Sequence, residues 1–102
     1  FADPVVRSIT PKLVIEQVCV YYNITVEDVL SKKKNREIAF PRQICMYLLK
    51  MLTDLTNKKI GEMVGVKDHS TVIYACDKIS SAVQTDAELK TAIDDITQAI
   101  RE

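Results

Sequence analysis

The stretch NKKIGEMVGVKDHSTVIYACDKI, Asn57 to Ile79, carries two apolar patterns of helical period with a short break between them. Ile60, Met63 and Val64 recur on one helix face, Gly65 ends that pattern where a left-handed residue is cheap, and Val72, Ile73, Cys76 and Ile79 open a second face. Thr56 precedes the first segment and Asp68 the second, and both are residue types that accept hydrogen bonds from the free N–H groups of a helix start. Two short helices, about 57–64 and 68–81, joined by a tight turn form the helix-turn-helix pattern. In that motif the first residues of the second helix meet base edges in the major groove of DNA. Here they are Asp68, His69, Ser70 and Thr71. With Val72 and Ile73 assigned to the core, the polar cluster is expected to project from the helix mouth.

Asp, His and Ser are also the residue types of a hydrolytic relay. Helical neighbours point about 100° apart, so side chains at i, i+1 and i+2 do not face each other and cannot pass a proton among themselves. No GxSxG turn offers a nucleophile elsewhere, and no GxxxxGK[ST] loop is present to cradle phosphates. Helix starts also gather Ser, Thr and Asp simply for capping, so base reading at this mouth needs support from the rest of the chain.

Outward from the motif, the chain reads as helix throughout. Thr10-Pro11 starts a helix whose apolar positions are Val14, Ile15, Val18, Cys19 and Tyr22, with Asn23 as its stop. Thr25 and Asp28 have the spacing of a capping box for a short helix through Leu30. Ser31 to Phe40, SKKKNREIAF, is expected to be an exposed basic loop, and Pro41 to open a helix with Ile44, Cys45, Leu48, Leu49 and Leu52 inside. Arg42 and Lys50 lie off that stripe and are expected to face solvent or a ligand. Thr85 and Glu88 form another capping box, ahead of a last helix carrying Leu89, Ala92, Ile93, Ile96 and Ile100. The fold class is all-α, a compact bundle of five or six short helices. Residues 1–9 read as linker and 10–102 as one domain, and an opening without methionine reads as a piece of something longer.

Formal net charge is zero, yet it is unevenly spread. Residues 32–67 hold nine basic against three acidic side chains, while 1–31 hold two against four and 68–102 three against seven. A basic middle between acidic ends is what a domain with one anion-binding face requires. The putting together of Lys32, Lys33, Lys34 and Arg36 with Arg42, Lys50, Lys58 and Lys59 supplies the phosphate-neutralising charge that the second helix of the motif lacks. Cys19, Cys45 and Cys76 fall on apolar faces and read as buried structural thiols; with one histidine and no CxxC, no metal site is expected. No apolar run approaches the ~20 residues of a membrane span, and the expected location is cytoplasmic.

KDHSTVIYACDKI, the GEMVG turn and SKKKNREIAFPRQICMYL together resemble the C-terminal DNA-binding domain of DnaA, the bacterial replication initiator, over about residues 10–100. The resemblance implies binding of double-stranded DNA at DnaA boxes, short asymmetric sites at the replication origin. It implies that Lys34 enters the minor groove and that Asp68, His69, Ser70 and Thr71 read the major groove. Lys32, Arg36, Arg42, Gln43 and Lys50 then stand at backbone-contact positions, as does Lys58 where the family often has proline. Lys34 replaces the more usual Arg, Val66-Lys67 the frequent Gly-Arg, Ser70 a Thr and Tyr74 a His.

No cofactor is expected in this chain, since the family binds ATP in a separate AAA+ domain that these residues do not include. The expected partners are duplex DNA, the remainder of a full-length initiator and protein regulators. Acidic phospholipid has no long basic amphipathic helix to support it. Other readings are a helical protein-interaction module using Tyr74 and the acidic last helix, or a transcriptional regulator; an enzyme ranks last.

Overall fold

A computed structural model describes residues 9–101, which form six α-helices and, among the described residues, no strand. The linker expected over 1–9 lies, apart from Ile9, outside the described residues. Helix α1 (Pro11–Tyr22) begins at Thr10, whose hydroxyl accepts from the Leu13 N–H at 3.2 Å, and ends at Asn23 in the left-handed region at φ 56°. Helix α2 (Val26–Leu30) has the expected capping box. The Asp28 N–H donates to Thr25 Oγ1 at 3.0 Å, and the Thr25 N–H to Asp28 Oδ2 at 3.5 Å.

Helix α3 (Arg36–Leu52) lies against α1, α2, α4 and α5. It begins five residues before Pro41, so the basic loop is shorter than expected, Arg36 is helical, and Pro41 is an interior residue. The reason is burial. Ile38 and Pro41 continue the buried stripe of Ile44, Cys45, Leu48 and Leu49 towards the N-terminus, and this offsets the hydrogen bond that Pro41 cannot donate.

Helix α4 (Asn57–Met63) is capped by Thr56 and α5 (His69–Thr85) by Asp68, as the sequence pattern predicts. Between them the Val66 N–H donates to the Gly61 carbonyl at 2.7 Å, and Gly65 has φ +75°. Helix α5 buries Val72, Ala75 and Ile79 but leaves Ile73 44% exposed, correcting its assignment to the core. Its partly buried Ala82 and Val83 prolong the packed face, so α5 runs to Thr85 instead of stopping near 81. Thr85 therefore belongs to α5, and Asp86 starts α6 (Ala87–Arg101): its Oδ1 accepts from the Leu89 N–H at 3.1 Å in place of the expected Thr85–Glu88 box.

Helix α6 closes the bundle on α1 and α5, burying Leu89, Ala92, Ile93, Ile96 and Ile100. Ile44, Leu48, Leu49, Ile60, Val72, Ile79 and Ile96 make the centre of a single apolar cluster. Cys19 and Cys45 are buried in it and Cys76 lies at its edge; burial raises all three thiols above their usual pKa, which keeps them protonated. None of the described helices is long and apolar enough to cross a membrane.

The turn between α4 and α5 tolerates no side chain at Gly65, where a Cβ would meet the Leu30 carbonyl oxygen at 2.8 Å and the backbone is left-handed as well. Gly65→Ala should lower unfolding free energy by roughly 1–3 kcal/mol in urea titrations. An unchanged midpoint would show that the turn adapts freely.

Candidate nucleic-acid interface

The mouth of α5 holds four exposed polar residues in succession, Asp68, His69, Ser70 and Thr71. Asp68 is both cap and candidate reader. Its Oδ1 accepts from the Ser70 N–H at 2.9 Å and its carbonyl from the Thr71 N–H at 3.0 Å. The Ser70 backbone bond, aided by the Ser70 side chain, holds the carboxyl below the usual carboxylate range. With one oxygen engaged, Oδ2 remains available as an acceptor.

Helical spacing sets Ser70, Ile73, Tyr74 and Asp77 on the side of α5 opposite Val72, Ala75 and Ile79, and all four are exposed. Ile73 is the residue the sequence pattern missed. A signal for it existed, because one turn further along its own face the chain has Asp77, and two turns further Ser80, where a buried stripe requires apolar residues. Tyr74, 62% exposed, shares the face of Ser70. A cleft beside the mouth is lined by Lys58, Glu62, Gly65, Val66, Lys67 and His69, so α4 contributes Lys58 and the turn Lys67 to the surroundings of the imidazole.

The basic loop, residues 31–35, leaves the end of α2 at Leu30, whose carbonyl is the atom that excludes a side chain at Gly65. Loop and helix-turn-helix therefore depart from one junction. Within the loop the lysines divide: Lys33 Nζ pairs with Asp28 Oδ1 at 2.8 Å, whereas Lys32 and Lys34 are exposed and make no ion pair among the described residues. The Ser31 hydroxyl donates to the Asp28 carbonyl at 2.6 Å and accepts from the Lys33 N–H at 3.2 Å.

Arg42 was expected to face solvent or a ligand, and it turns inward. Its Nε donates to the Val29 carbonyl at 2.6 Å, Nη1 to Lys33 at 2.9 Å, and Nη2 to Asp28 at 3.2 Å and Ser31 at 2.9 Å. Off-stripe position identified a side chain free to reach beyond its own helix face, but could not distinguish a phosphate from a neighbouring carbonyl.

The other expected contacts occupy varied settings. Arg36 lies over the Phe40 ring at 5.3 Å, a cation–π contact one turn along α3, and is itself exposed. Gln43 is half-buried, and its Oε1 has no hydrogen-bond partner. Lys50 is exposed one turn beyond Met46, whose carbonyl accepts from Cys76 Sγ of α5 at 3.6 Å, and its charge acts on that thiol. Lys50 thus lies beside the α3–α5 contact.

Comparison with known proteins gives the family of the chain. The family described as the bacterial dnaA protein helix-turn-helix matches residues 11–79. Chromosomal replication initiator proteins DnaA from Caldanaerobacter subterraneus subsp. tengcongensis and from Thermoanaerobacter sp. (strain X514) are each 50% identical over 95 residues, covering 93% of this chain and 21% of the relative. The initiator of Thermoanaerobacter pseudethanolicus is similar to the same extent. The chain spans about a fifth of the length of these curated relatives.

The Asp68 cap carries a pH signature. Because its folded pKa is depressed, its contribution to stability is complete above the unfolded value of about 4 and is lost as pH falls through the folded value. Asp28, depressed by Lys33, is common to wild type and an Asp68→Ala variant and cancels in the comparison. The stability gap between the two should stay constant from neutrality to about pH 4 and close below it. A gap undiminished in acid would mean that the carboxylate is not the capping group.

Proposed function

The chain belongs to the bacterial DnaA helix-turn-helix family, and from that premise we propose that it binds double-stranded DNA sequence-specifically, at DnaA boxes of the replication origin. The observation that carries this reading is the exposed Asp68–Thr71 cluster at the mouth of a helix whose opposite face is locked into the core. α5 enters the major groove by its first turns. His69 and Thr71 present a ring and a methyl group to base edges, Ser70 a hydroxyl, and Asp68 accepts from cytosine N4 through Oδ2 while Oδ1 keeps the cap. Ile73 and Tyr74 follow on the exposed side, where an aliphatic group suits a thymine methyl.

Lys34 enters the adjacent minor groove, where a narrow A·T tract concentrates negative potential. Lys32, Arg36, Gln43, Lys50 and Lys58 hold the phosphates, giving the complex its register and salt dependence without specifying sequence. This reading needs no cofactor within the described residues. Its biological setting is the start of chromosome replication, as part of an initiator of the length seen in the relatives.

A protein-docking role built on the acidic last helix and Tyr74 would compete with the proposed duplex for Tyr74. Its ring shares the α5 face of Ser70, so the same side chain cannot serve a regulator while the helix lies in DNA.

Titration of a DnaA-box duplex against a scrambled duplex tests the assignment. His69→Ala should cost the box about 1–3 kcal/mol, roughly 5- to 150-fold, and leave the scrambled duplex nearly unaffected. Lys50→Ala should weaken both alike and reduce the slope of log affinity against log salt by about one. Loss of equal size on both duplexes for His69→Ala would remove it from base reading.

A further inference from the structure

We infer that Arg42 is a positioning residue, whose guanidinium holds the basic loop in the shape from which Lys34 and Lys32 reach DNA. The inference rests on the proposed duplex binding and assigns a different task to a side chain expected at the phosphates. Four of the five donors of the guanidinium fork are committed, to the carbonyls of Asp28, Val29, Ser31 and Lys33. One N–H remains.

The acceptors explain why an arginine stands there. α2 is only five residues long and has no basic side chain in its last turn; its Asp28 carbonyl accepts from the Ser31 N–H at 3.2 Å and the Ser31 hydroxyl at 2.6 Å, while Arg42 is the donor to the carbonyls of Val29 and Ser31. Arg42 reaches them from α3, 13 positions away from Val29, and extends the same grip to Lys33, beyond the helix. Of the two carbonyls passed over, those of Leu30 and Lys32, the first lies against Gly65. The backbone from 28 to 33 is thereby fixed on both sides, with Ser31 bracing it from within through its hydroxyl.

Lys33 is drawn back to Asp28, so the immobilised backbone leaves the side chains of Lys32 and Lys34 as the projecting cations. Carbonyls do not neutralise a guanidinium, and its positive charge stays beneath the loop. A lysine in its place would preserve that charge but carry three donors on one atom, which cannot span four separated carbonyls.

The test compares Arg42→Lys, Arg42→Ala, Lys34→Ala and the Arg42→Lys/Lys34→Ala pair by duplex titration, with amide exchange at Ser31 and Lys33. Arg42→Lys should bind a DnaA box about tenfold more weakly, the cost of re-ordering about one backbone residue on binding, and lysine should rescue little of the Arg42→Ala loss. Lys34→Ala should cost much less in the Arg42→Lys background than in wild type, and both amides should exchange faster. Wild-type affinity for Arg42→Lys with an undiminished Lys34→Ala effect would overturn the inference while leaving the loop a DNA contact. A Lys34→Ala variant that binds as wild type would instead overturn the loop's role in duplex binding and the inference with it. If Arg42→Lys fails to give a cooperative melt, Arg42→Gln, which keeps a planar head with two donors, provides the same comparison: faster Ser31 and Lys33 exchange and a smaller Lys34→Ala effect support the inference, and an unchanged Lys34→Ala effect overturns it.

Discussion

The C-terminal end of α2 is where the two halves of the candidate interface are joined. Helices must satisfy or expose their last carbonyls, and a helix of five residues has few to spare for itself. Here Arg42 answers those at Asp28, Val29 and Ser31, and the glycine of the helix-turn-helix approaches the one at Leu30. The same few atoms thus fix where the basic loop starts and how closely the α4–α5 turn can approach it. The proposed duplex binding asks that the α5 mouth and the basic loop keep a constant separation, and this junction ties the two together.

Charge follows a similar economy. The chain as a whole is neutral, but its cations gather on the loop, on α3 and at the start of α4, whereas α5 carries Lys78 alone among lysines and arginines. On α5 the exposed side carries Asp77 one turn past Ile73, a carboxylate that phosphate would repel. Pairing of Lys33 with Asp28 lowers the local density of free charge, leaving two exposed cations in place of three.

What could be read from the sequence was decided by neighbours in the chain. Thr10, Thr25 with Asp28, Thr56, Gly65 and Asp68 act on groups two to four residues away, and their types declare those roles. Pro41 was misread because its missing N–H matters less than the burial of Ile38 and Pro41 against the bundle, a tertiary fact. Ile73 was placed inside because it is apolar, although its own helical row turns polar. The mouth of α5 could be located from sequence. The inward turn of Arg42 could not, since its acceptors lie nine to fourteen residues away and depend on how α2 docks on α3.

Asp86 separates α5 from α6 by a single non-helical residue. Two helices coupled so closely behave as the arms of a bent lever, and the second arm is clamped along its length by Leu89, Ile93, Ile96 and Ile100 against the core. Tilting α5 would drag α6 across α1 and break the apolar contact between those two helices. The direction in which the mouth of α5 faces is therefore set together with the packing of α6, by apolar side chains that lie far along the chain from Asp68–Thr71.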